Sequence, residues 1–204
     1  MNNSVIPQGL AIEAMRSSAF RNTAQALAEL IDNSIQAGLK VKGKTHCEVL
    51  AVDTISSASS RRSRNIDEIA VYDNASGMSA ETLRRALQFG NGTNLDPSNQ
   101  NSIGKFGMGL PNSSISRCRR LDVYTWQNDH VIHSYLDVDH IINGDQEEVE
   151  EPQETEIPPR WKSLIKHKIN KNGTLVVWSR FDKLKEKRSR PLLRNAEALV
   201  GRTY

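Results

Sequence analysis

The chain has 204 residues, 37% hydrophobic and 25% charged, a balance that suits one globular domain with a core of its own. A formal net charge of +3 is too small to point to nucleic acid by itself. The opening MNNSVIPQGL is not a secretory signal, no stretch has the apolar length of a bilayer span, and Cys47 and Cys118 show neither pairing nor metal spacing, so we expect a soluble protein of the reducing cytoplasm, with no membrane contact.

Residues 17–37 carry helical periodicity, and Gly38 offers a C-terminal stop. Leu27, Leu30, Ile31 and Ile35 fall on one side of that helix. Glu29, Asn33 and Gln36, at i, i+4 and i+7, stack on the other. Strands are expected at 46–53 (HCEVLAVD) and 66–73 (IDEIAVYD), separated by a Ser/Arg-rich loop. Ser79 is placed to cap a helix over 80–89, with Leu83, Ala86 and Leu87 inward. Residues 90–103, GNGTNLDPSNQNSI, read as a loop, and a helix is expected from Phe106 to Ser116.

The stretch 121–138 reads as two strands around a turn at Asn128-Asp129. An acidic loop over 144–158 and a short helix or turn near Trp161 to Lys166 follow, and then GTLVVWSRF (173–181) as a strong strand. Residues 183–200 look helical, with Leu192, Leu193, Ala196 and Leu199 inward. Hairpin-like strand pairs separated by helices favour an α+β fold, one sheet with helices on one face, over a doubly wound parallel sheet. Basic runs at Arg61, Arg62 and Arg64, at Arg117, Arg119 and Arg120, and from Lys183 to Arg190 read as solvated surface.

Three short stretches could carry chemistry. In YDNASGM (72–78) a strand ends in Asp73 and a turn through Gly77 leads to a capped helix; taken alone, this is also an ordinary turn. GKFGMG (104–109) is a Gly-rich run at a loop-to-helix junction, where free N–H groups suit phosphate. It is neither a Walker A loop, since Phe106 follows Lys105, nor a dinucleotide fingerprint, since its order is G-x-x-G-x-G. NGT (172–174) opens the last strand, and Asn-Gly there reads as a simple turn.

Their order is more telling than any one of them. AELIDNSIQAG, YDNASGM, IGKFGMGL and NGTLVVW resemble the four successive motifs of the GHKL (Bergerat-fold) ATPase superfamily over residues 20–181. Within it, the sequence is most similar to the MORC-type and heat-shock-chaperone-type ATPase domains. It departs from the pattern at Ala75, where the second motif usually has a glycine, and at Gln36, where many relatives carry an acid.

The resemblance implies a two-layer α/β sandwich with a mixed, mostly antiparallel sheet. It implies ATP as ligand with Mg²⁺ as cofactor. Asp73 would accept a hydrogen bond from the adenine amine, Gly77 would let the backbone approach the base, Met78 would pack on it and Thr174 would support it. Asn33 would ligate Mg²⁺, and Glu29 would activate the attacking water. Gly104, Lys105, Phe106, Gly107, Met108 and Gly109 would form the phosphate loop, and 90–103 the lid. The expected division is an N-terminal arm (1–16), an ATP-binding domain (17–182) and a C-terminal helical segment (183–204). ATP-dependent homodimerisation and contact with DNA or a partner protein are expected by the same likeness. The alternatives are a histidine-kinase-type phosphotransferase and a non-catalytic, nucleotide-gated binding module.

Overall fold

The computed structural model describes residues 8–56, 63–90 and 108–203. In chain order the elements are α1 (Gln8–Ser18), α2 (Thr23–Gly38), β1 (Cys47–Ser56), β2 (Ser63–Asp73), α3 (Ala80–Leu87), α4 (Gly109–Ile115), β3 (Cys118–Gln127), β4 (His130–Asp137), α5 (Val138–Asn143), β5 (Gln153–Glu154), α6 (Pro159–Leu164), β6 (Gly173–Phe181) and α7 (Ser189–Thr203). The strands form one sheet in the order β1-β2-β6-β3-β4-β5, and every pairing among the described residues is antiparallel.

Alternation along the strands makes two cores. Ile69, Val71, Leu121, Val123, Val176 and Trp178 face one way, against Leu27 and Leu30 of α2, Leu83 and Leu87 of α3, and Leu192 and Ala196 of α7. Fully burying a leucine such as Leu27 contributes about 1.5–3 kcal/mol, so this layer holds α2 firmly on the sheet. Ala70, Tyr72, Trp126, Leu175 and Val177 face the other way and are covered by Ile157, Trp161 and Ile165, so α6 lies on this second face. The architecture is the expected α+β sandwich.

Several boundaries differ from expectation. The single helix expected over 17–37 is two helices, because Asn22 turns extended and caps α2, its side chain accepting from Gln25 N. Residues 8–16, assigned to an arm by the sequence, form most of α1. Ile12 joins Ile115 and Val138 in a small core. Buried Arg16 donates to Ile115 O at 2.7 Å and to both Asp182 oxygens at 2.6 and 2.8 Å. The β3–β4 hairpin turns at Asn128 and Asp129, both with positive φ (54° and 67°), as a two-residue turn requires.

The arginines at 117–120 are not free surface charge. Arg119 pairs with Asp139 and Asp182, and Arg120 with Asp122 and Asp137. Arg117 is buried and donates to the Phe20 and Lys183 carbonyls.

Candidate active site

Three polar side chains share one row of the sheet. The register sets Asp73 of β2 opposite Thr174 of β6, and Thr174 opposite Thr125 of β3. Each lies two residues along from Val71, Val176 and Val123, so all three point to the α2 side. All are buried, Asp73 at 6% exposed. Thr125 Oγ1 donates to Gly173 O at 3.0 Å, accepts from Met78 N at 2.9 Å and lies 3.2 Å from Thr174 Oγ1.

Asp73 is held by two donors. Ala75 N reaches Oδ1 and Ser34 Oγ reaches Oδ2, each at 3.0 Å. Burial pushes this carboxyl up to about 6, with both hydrogen bonds pulling the other way. A carboxylate has about four lone-pair sites, so two donors leave acceptor capacity for a ligand.

Ser34 takes the inward position on α2 that the sequence gave to Ile35. Ser34 is buried, and Ile35 is 38% exposed. The reason is the carboxylate below it: an aliphatic side chain there would leave Asp73 with one donor fewer. Glu29 and Asn33 lie partly exposed on the same helix, and among the described residues neither side chain makes a hydrogen bond. Glu29 reaches the start of α4, where a Cβ at residue 109 would lie 2.0 Å from its Oε1. Burial raises the Glu29 carboxyl above its ordinary range, and the neighbouring Asp32 raises it further. A raised carboxylate is a stronger base.

Two glycines make room. Gly77 has φ +62°, and a Cβ there would lie 2.0 Å from Trp126 O, so no larger residue fits the turn. At Gly173 a Cβ would lie 2.6 Å from Asp73 O and 2.5 Å from the Trp126 ring. The Asn172-Gly173 pair is therefore not the simple turn its sequence suggests: Gly173 is the first residue of β6 and admits close packing. Ala75 is buried and is not among the residues of positive φ, so alanine sits there without the conformational need that would demand glycine.

The structure brings Glu29, Asn33, Asp73, Gly77, Met78 and Thr174 to α2 and the sheet ends beneath it, with Gly109 against Glu29. Gly104, Lys105, Phe106, Gly107 and the lid from 91 to 103 lie outside the described residues. Met108 has φ −112° and precedes α4, which begins at Gly109 rather than at Phe106. Sequence reasoning missed Ser34, Asp32 and Thr125. Thr125 had a signal, a hydroxyl continuing the apolar alternation of Leu121 and Val123.

The profile of the histidine kinase-, DNA gyrase B- and HSP90-like ATPases matches residues 21–174. The chain belongs to this ATPase family. The match runs from the residue before the α2 cap to Thr174, so the row of Asp73, Thr174 and Thr125 and the polar face of α2 all lie inside the ATPase region. No curated protein sequence matches the chain.

Proposed function

We propose that the chain is a Mg-dependent ATPase domain whose bound nucleotide acts as a conformational and dimerisation switch. The observation that carries this reading is the placement of a buried, donor-held Asp73 under the same helix that bears Glu29 and Asn33. Asp73 accepts the exocyclic amine of adenine, a charged-acceptor hydrogen bond of roughly 1.5–3 kcal/mol. Guanine, with an oxo group there, would meet carboxylate lone pairs instead. Gly77 lets the backbone close on the base, Met78 packs against it and Thr174 supports it through the Thr125 hydroxyl pair.

The donor set suits magnesium. Asn33 is a neutral oxygen ligand free of other hydrogen bonds among the described residues, and a Mg²⁺ bound with phosphates needs few protein ligands. Asn33 would hold the ion, which neutralises phosphate charge when bound. Gly104, Lys105, Phe106, Gly107, Met108 and Gly109 are the proposed phosphate loop, and 90–103 the proposed lid. Glu29, with its raised carboxyl, orients and deprotonates the attacking water. Turnover is slow until the site closes, because phosphoryl transfer depends on positioning and water exclusion. Within this reading, 1–16 is the N-terminal arm, 17–182 the nucleotide domain and 183–204 the C-terminal helical segment, whose α7 packs on α2.

The kinase alternative gains no support from the histidines. Among the described residues, the one helical histidine is His140, on the six-residue α5. The test is ATP turnover by wild type and Glu29→Gln, alongside sedimentation with ADP and with a non-hydrolysable ATP analogue. Turnover lost in the variant with ATP still bound, and a larger mass with the analogue, support the proposal. Undiminished turnover in Glu29→Gln removes Glu29 as the base, and an unchanged mass removes the dimer.

A further inference from the structure

Two neighbouring loops carry six lysines and no acidic residue. Lys40, Lys42 and Lys44 lie between α2 and β1, and Lys166, Lys168 and Lys171 between α6 and β6. All six are exposed, and among the described residues none is in an ion pair. They contrast with Arg119 and Arg120, whose charges are neutralised by aspartates. Lys42, Lys44, Lys168 and Lys171 line one concavity of about 550 Å³, in which Asp129 is the one acidic residue. Glu48, whose carboxylate accepts from Lys166 N, His167 N and His167 Nδ1, does not line this concavity.

The loop backbones are fixed. Tyr72 Oη donates to Lys168 O and Trp126 Nε1 to Asn170 O, both at 3.0 Å, and Asp129 N donates to Lys171 O at 2.8 Å. On the other wall, His46 N donates to Asn74 Oδ1 at 2.7 Å. The lysines therefore project from a preorganised frame, which lowers the cost of ordering them around a ligand.

We propose that this groove binds the sugar-phosphate backbone of a nucleic acid without reading its bases. Lysine acts on phosphate as a point charge, whereas base reading favours the fork of arginine, and no arginine lines the groove. No aromatic ring lines it either, so it tracks phosphates rather than stacking bases. A concave wall of lysines fits a strand; a lipid surface would call for a flat or protruding one. The floor includes Asn74 and Ala75, which follow Asp73, so an occupant also touches the turn that holds that carboxylate. The proposal does not depend on nucleotide binding and can fail separately from it.

The test is fluorescence anisotropy of labelled single-stranded DNA, duplex DNA and RNA, each of about 30 nucleotides, with the full chain. Lys42→Glu/Lys44→Glu/Lys168→Glu/Lys171→Glu is compared with Lys185→Glu/Lys187→Glu/Arg188→Glu/Arg190→Glu, which makes the same charge change on another exposed run. An unchanged melting temperature shows that both variants are folded, whether or not nucleotide binds. The groove variant should bind more than about tenfold more weakly than wild type, and the control within about threefold. Four phosphate contacts should weaken wild-type duplex binding by about 100-fold between about 50 and 200 mM salt. Equal losses in the two variants, or no binding to any of the three nucleic acids at low salt, would each overturn the proposal.

Discussion

Ser34 Oγ lies 3.0 Å from Asp73 Oδ2, so the helix that bears Glu29 and Asn33 also steadies the buried carboxylate at the end of β2. One element thus touches both ends of the proposed nucleotide site. Asp73 ionises at about 6 in the fold, against an ordinary value of 3.8. Burial of the charge is the main cause.

A pH dependence follows from that shift. The folded form holds the Asp73 proton more tightly than the unfolded chain does. Its contribution is fully present below about pH 4 and is lost as pH rises through about 6, a decline on the order of 3 kcal/mol. Asp122, Asp182 and Glu48 are lowered by their partners and act in the opposite sense, so the comparison must be made against Asp73→Asn. Urea unfolding of both proteins from pH 4 to 7.5 should show the variant gaining on wild type by about this amount. A constant difference across the range would mean that the charge is not buried in solution.

Gly109→Ala tests the contact between α2 and α4. The added methyl meets the Glu29 carboxylate at 2.0 Å, but that is the far end of a flexible side chain. Glu29 should swing aside at a stability cost below about 1.5 kcal/mol, while turnover falls by about tenfold or more. Melting and ATP hydrolysis measured on the same preparation separate the two effects. Wild-type turnover in a folded variant would show that the position of Glu29 does not matter.

Gly77→Ala should behave differently. Its methyl meets a strand carbonyl, Trp126 O, and its φ of +62° disfavours any side chain. The backbone itself must move, so we expect a loss of more than about 2 kcal/mol, read by urea denaturation. A loss below about 0.5 kcal/mol would mean that the turn relaxes freely.

Arg16→Ala removes a buried guanidinium from Asp182 and from the Ile115 carbonyl. Asp182 keeps Arg119, so the loss is the Ile115 carbonyl's donor and one of two arginines on Asp182, and it should cost about 1–3 kcal/mol, with little dependence on salt because Arg16 is 2% exposed. Denaturation at low and high salt checks both statements.

Much of this fold was legible because strand alternation and helix periodicity agree with the final packing. Ile69, Val71, Val176 and Trp178 occupy the face that their spacing demands. The β3–β4 turn was legible in Asn128-Asp129 because few residues accept positive φ. Ser34 was not legible, since its inward position answers to a carboxylate on a strand 39 residues away in sequence. Nor was α1, whose anchor depends on Arg16 meeting Asp182, 166 residues further on. Arg119 and Arg120 read as surface charge because their partners Asp137, Asp139 and Asp182 sit on β4, on α5 and just past β6. The Gly173 approach was hidden for the same reason, because Asp73 O and Trp126 come from two other strands.

The most direct test of the central claim is a calorimetric titration with ADP in Mg²⁺, using wild type and Asp73→Asn at about pH 7.5 and pH 5. Wild type should bind at pH 7.5 and weaken at pH 5 as Asp73 gains its proton. Asp73→Asn should bind at least about tenfold more weakly at pH 7.5 and show no such dependence on pH. Equal affinities for the two proteins at pH 7.5 would contradict the account, because adenine would then be held by something other than Asp73.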